Sequence, residues 1–286
     1  MRVYISNFQD GCISIIDGEC LIEKEKIYLD AHIYPHHFCI DENDEKIYIP
    51  NSIDGVLYIV DINKKNILDC ISIGGNLSQV VLFNEELFIA NEDSNSIYIL
   101  NIDTLIPVGI ISVDNMPHGM IIDKSSNELY VPCEKSIVVI NTITKQIERR
   151  INLDYKPWHL KIDKNILYVV TKCGKILILN TRKCEVINVL RGFKMPVEIA
   201  INDFKDELYI TDFYDKSISI IDRSNYDLIK KIEIDGMPLG IDISSDNKLV
   251  FISDIKEDDV KVLDTLDYKI IKSIKVGKEP TTVICK

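Results

Sequence analysis

Residues 196–234 read PVEIAINDFKDELYITDFYDKSISIIDRSNYDLIKKIEI, and the fold follows from this stretch. Pro196 opens a segment in which Ile199 and Ile201 recur at a spacing of two, the mark of a strand with one buried face. Proline suits the first residue of such a strand, where no ladder donor is needed. The apolar run Leu208-Tyr209-Ile210 follows, and a polar turn leads into a second run, Ile218 to Asp222. The last run, Leu228 to Ile234, alternates apolar residues with Lys230, Lys231 and Glu233, as an outer, half-exposed strand must if it is not to recruit other chains. Four short strands joined by polar turns make one antiparallel sheet.

The same unit recurs along the whole chain. Tyr209 has counterparts in Tyr4, Tyr48, Phe88, Tyr130, Tyr168 and Phe251, with successive steps of 44, 40, 42, 38, 41 and 42 residues from Tyr4 to Phe251. That period fits a four-stranded propeller blade. Asp222 has counterparts in Asp17, Asp61, Asn101, Asn141, Asn180 and Asp264, side chains that can bond the backbone of the turn they open. Pro196 has counterparts in Pro35, Pro117, Pro157, Pro238 and Pro280, with Leu77 in the remaining unit. The chain starts on a second strand, from Val3 to Asn7, and ends on an unpartnered first strand, from Thr281 to Cys285. The expected fold is therefore an all-β, seven-bladed β-propeller in one domain, residues 1–286, its ring closed by the C-terminal strand completing the first blade. Pro50 and Pro132 fall late in second strands and predict a bulge or a strand end there.

The Leu167-Tyr168-Val169-Val170-Thr171 core, the run Ile218 to Asp222 and the Pro-x-Gly starts at Pro117-His118-Gly119 and Pro238-Leu239-Gly240 resemble the YVTN-repeat β-propeller family over the full length. The resemblance implies the fold. For function it implies a choice among surface proteins, binding proteins and, in related seven-bladed propellers, lactonases and metal-dependent lyases. The Pro-x-Gly glycine survives only as Gly119 and Gly240; the other positions hold His37, Gln79, His159, Glu198 and Thr282. If these face the mouth of the axial channel, glycine would keep it open and polar side chains would plug it or make a site.

A formal net charge of -12 argues against nucleic acid or an anionic membrane as partner and leaves a cationic ligand open. No secretory signal precedes Val3, no apolar run is long enough to span a bilayer, and the eight cysteines form no Cys-x-x-Cys pair. A cytoplasmic protein with reduced thiols is expected, and a monomer, since a closed ring hides its own edges.

All five histidines map to one end of the blades, where the connections into first strands lie. Two alternatives follow. His37, Gln79, His118, His159, Glu198 and Thr282, with Trp158 beside them, form a ligand-binding site at the channel mouth, or they only satisfy one another as a plug. Within the first, His37, His159 and Glu198 could hold a divalent metal such as zinc or manganese. His118 sits one residue after its proline rather than two, and alternation would turn it away from the others. The preferred reading is a non-catalytic propeller that binds a protein or small molecule. The alternative is a metal-dependent hydrolase or lyase of lactonase type.

Overall fold

The structure, a computed structural model, describes residues 1–30, 32–41, 43 and 45–286. Seven antiparallel sheets of four strands each form among the described residues, one per repeat. The fold is the seven-bladed β-propeller expected. By contacts the chain divides into two compact units, residues 37–191 with blades 2 to 5, and residues 1–36 with 192–286 carrying blades 6, 7 and 1.

Blade 1 takes its first strand from the end of the chain. Pro280–Cys285 pairs antiparallel with Arg2–Asn7, Val3 opposite Cys285 and Ile5 opposite Val283. The ladder continues through Arg2 and Lys286, which exchange backbone bonds of 2.8 and 2.9 Å. Within each unit, neighbouring blades share their apolar faces. Blades 3 and 4 pack Phe88, Ile97 and Ile99 against Met120, Leu129 and Val131; blades 7 and 1 pack Phe251 and Val260 against Val3, Ile5 and Val283. The repeated aromatics are the largest buried side chains, and each contributes roughly 1.5–3 kcal/mol. Two of the buried tyrosine hydroxyls are satisfied locally, Tyr209 by Glu207 at 2.7 Å and Tyr130 by Glu128 at 2.5 Å.

The Asp and Asn ladder is turn chemistry, as its spacing implies. Asp17 Oδ1 accepts from the N–H groups of Glu19 and Cys20, and Asn141 Oδ1 from those of Ile143 and Thr144, all near 3.0 Å. The second strands of blades 2 and 4 end at Pro50 and Pro132. Two acidic residues that look like exposed loop carboxylates are buried caps. Asp212 accepts from the N–H groups of Lys194 and Met195, and Asp254 from that of Met237, at 2.7–2.8 Å.

The residue before this cap position also carries a pattern. Thr211 Oγ1 donates to the Leu239 carbonyl at 2.7 Å, Ser253 Oγ to Thr281 at 2.6 Å, and Ser6 Oγ to His36 at 2.8 Å. Each hydroxyl thus latches one blade to the residue after the opening proline of the next. Blades 2 to 5 have Pro50, Ala90, Pro132 and Val170 there, and in blade 3 Ser78 bonds the Pro117 carbonyl instead. Thr211→Val keeps the shape and removes the bond donated to Leu239 O and the bond accepted from Glu198 N–H. It is expected to cost about 1–2 kcal/mol and to lower Tm by about 4 °C, read by thermal unfolding.

Blade 4 holds a mostly buried ion pair, Arg149 Nη1 at 2.5 Å from Glu128 Oε1. Burial alone would raise the Glu128 pKa, but bonds from Arg149 and Tyr130 outweigh it and hold it at about 2. A carboxyl whose folded pKa is depressed stabilises the protein above its unfolded value and loses that contribution as pH falls through the folded one. Wild type is therefore expected to lose about 1–2 kcal/mol relative to Glu128→Gln between pH 4.5 and 2, after discounting for solvent screening. Denaturant unfolding of both proteins across that range checks it; parallel curves would contradict it.

Candidate metal centre

Three histidines converge in the four-blade unit. His37 precedes the strand Cys39–Asp41 of blade 2, His118 precedes Ile121–Asp123 of blade 4, and His159 lies in Pro157–Asp163 of blade 5. Each offers one ring nitrogen, and these atoms lie within 4.8 Å of one another. Ring centroids are 5.2 Å apart for His37 and His159, 5.4 Å for His118 and His159, and 5.9 Å for His37 and His118. His37 and His159 are buried and His118 half-buried.

His118 belongs to this group although strict alternation would turn it away. In blade 5 the ladder runs from Pro157 opposite Thr171 directly to Leu160 opposite Val169, so Trp158 and His159 together face one partner. Such a bulge re-aims side chains that a regular strand would send to opposite faces. In blade 4 the regular first strand begins only at Ile121, and the chain before it is tied by His118 N–H to the Pro132 carbonyl at 3.0 Å.

Glu92 fixes the His118 ring. Its Oε1 lies 2.5 Å from Nδ1, and a carboxylate only accepts, so Nδ1 carries a proton and in the neutral ring the lone pair sits on Nε2. Nε2 is buried with no hydrogen-bond partner among the described residues. Burial pushes the His118 pKa down, only partly opposed by Glu92, and so favours the neutral imidazole that binds metal. The other Glu92 oxygen, Oε2, accepts from Asn76 Nδ2 at 3.1 Å.

Gly119 allows the convergence. A Cβ there would stand 2.9 Å from the Trp158 carbonyl and 3.2 Å from His159 Cδ2, so the missing side chain lets the first strand of blade 5 close on blade 4. Gly240 has the same role beside Thr281 O, 2.1 Å from where its Cβ would be. Both glycines serve close approach of neighbouring strands.

The remaining sequence candidates have other partners. Gln79 Oε1 accepts from Met120 N–H, and Glu198 Oε2 accepts from Ile241 N–H at 3.3 Å; each braces the blade that follows. Among the described residues, the group of side chains whose donor atoms lie close enough to share one ion is His37, His118 and His159. Thr282 N–H donates to Ser6 Oγ at 3.0 Å. Trp158 packs against His118 and His159, at 5.9 and 5.2 Å between centroids. Glu92 was missed as a site residue. In sequence it is one of many loop acids, and nothing local ties it to His118, 26 residues on.

A family model for the YNCE-like β-propeller matches residues 1–286. The chain belongs to that family. No curated protein sequence matches it. Among solved structures it is similar to a Lactobacillus plantarum protein (13% identity, 99% of this chain and 98% of that one, TM-score 0.82). It is also similar to a putative 6-phosphogluconolactonase from Bacteroides fragilis (14%, 99% and 97%, 0.79). A third is Kuenenia stuttgartiensis hydrazine synthase (15%, 88% and 89%, 0.78). At such identities these likenesses concern the fold, which hosts many unrelated functions. For this YNCE-like propeller, function has to be argued from the histidines.

Proposed function

We propose that this propeller is a metal-dependent binding protein that holds one borderline divalent cation, zinc first, on His37, His118 and His159. The convergence of three ring nitrogens within 4.8 Å carries this reading. Imidazole donors without thiolate or clustered carboxylate suit zinc better than magnesium or calcium. Three protein ligands leave one position of a tetrahedral ion open. Glu92 behind His118 is the carboxylate–histidine arrangement that orients a metal ligand and raises its basicity.

The same open position could hold a water and serve a hydrolase or lyase. Binding is favoured because Glu92, the carboxylate bonded to His118, has its second oxygen engaged by Asn76, which leaves neither oxygen free to move protons for a substrate.

Competition between the apo protein and a chromophoric chelator tests the reading. One zinc per chain is expected. Glu92→Gln keeps the shape but removes the charge behind His118 and should weaken zinc about 10–100-fold. Saturation of the chelator before the protein takes up any zinc would overturn the proposal. Zinc-dependent turnover of simple lactones or esters by the loaded protein would move the reading to the hydrolase.

A further inference from the structure

The −12 formal charge leaves a cationic ligand open, but the groups around the histidines point the other way. Trp158 Nε1 is buried and has no hydrogen-bond partner among the described residues, although its ring lies against both His118 and His159. A buried N–H without an acceptor is rare enough to call for one. The Lys172 ammonium sits 4.4 Å over the same indole and has no ion pair among the described residues. Burial and the nearby Lys156 both disfavour its charge. Glu92 offsets the ammonium only in part, and its two oxygens serve His118 and Asn76 rather than the Trp158 N–H. Three neutral imidazoles would leave a bound zinc with its full double charge.

We propose that the open position of the metal takes a small carboxylate, one oxygen on the ion and the anion stabilised by the Trp158 N–H and Lys172. The inference rests on the metal reading above. A carboxylate satisfies all three at once: it is a good zinc ligand, it accepts from an indole N–H, and it compensates the ammonium. A neutral amide lacks the charge, and a cation would be repelled by ion and lysine alike.

Cobalt(II) serves as the spectroscopic probe, because its visible bands report coordination without any enzymatic assay. Acetate is titrated into the cobalt-loaded protein, with acetamide and tetramethylammonium as controls and inorganic phosphate as the competing oxyanion. The bands are expected to shift saturably with acetate and not with either control. Lys172→Ala and Trp158→Phe, which removes the N–H but keeps a ring, should each weaken acetate about tenfold. Lys172 is not a metal ligand and carries positive charge, so cobalt affinity should not fall in Lys172→Ala. Bands unmoved by about 100 mM acetate, or acetate binding indifferent to both substitutions, would overturn the carboxylate site and leave the metal reading standing. A shift with phosphate but not acetate would also overturn it. Failure to develop cobalt bands at all would remove the metal reading, and this inference with it.

Discussion

Replacing any one of His37, His118 and His159 with alanine is expected to weaken zinc binding at least 100-fold. Each histidine supplies one of three protein ligands, and apparent zinc binding free energies of about 10–16 kcal/mol for four-ligand sites put a single ligand near 3 kcal/mol. The loss should appear in stability as well. Zinc at about 1,000 times its Kd stabilises a protein that binds it only when folded by about 4 kcal/mol, a rise in Tm of about 8 °C. That rise should shrink to about 3 °C or less in each variant, because zinc then stands at no more than about 10 times the weakened Kd. His118→Ala is the cleanest of the three, because His118 is half-buried and its removal leaves the smallest void. Zinc titration of variants that retain wild-type circular dichroism checks the effect. An unchanged affinity in two of the three would show that the ring nitrogens do not act together.

Deleting Pro280 to Lys286 is expected to abolish the folded state rather than to lower its stability by a few degrees. The deletion strips blade 1 of its first strand, pairings from Val3 to Asn7 included. It also exposes Val3 and Ile5, which pack against Val283. Ser253 Oγ and Ser6 Oγ lose partners on Thr281, and Ser6 loses Thr282 N–H. Three or four apolar side chains at roughly 1.5–3 kcal/mol each, plus buried polar groups left unmet, approach the entire 5–15 kcal/mol of a typical domain. Expression of the truncated chain should yield insoluble or unfolded material. A soluble product with a cooperative unfolding transition would contradict the account of blade 1.

The repeat made the fold legible because its signals are local and redundant. An aromatic between aliphatic residues, an Asp or Asn that caps the next turn and a proline that opens the first strand each recur in nearly every unit. Even the completion of blade 1 by Pro280–Cys285 follows from counting strands. The buried carboxylates Asp212 and Asp254 were harder to read, since composition alone does not separate an exposed loop acid from a backbone cap.

The candidate site was legible in its residue types but not in its membership. His37 and His159 share the position two after the opening residue, which links them in sequence. So do Gln79 and Glu198, yet these bond the Met120 and Ile241 N–H groups. His118 breaks the rule because alternation fails where the strand has not yet begun or is bulged. Glu92 is joined to His118 only by the packing of blade 3 against blade 4.

X-ray absorption at the zinc edge of the reconstituted protein tests the central claim most directly. The account predicts three imidazole nitrogens at about 2.0–2.1 Å and one further light ligand. A sulfur shell at about 2.3 Å would place the ion on cysteine, and a shell with no imidazole scattering would place it on carboxylates; either result contradicts the assignment of His37, His118 and His159.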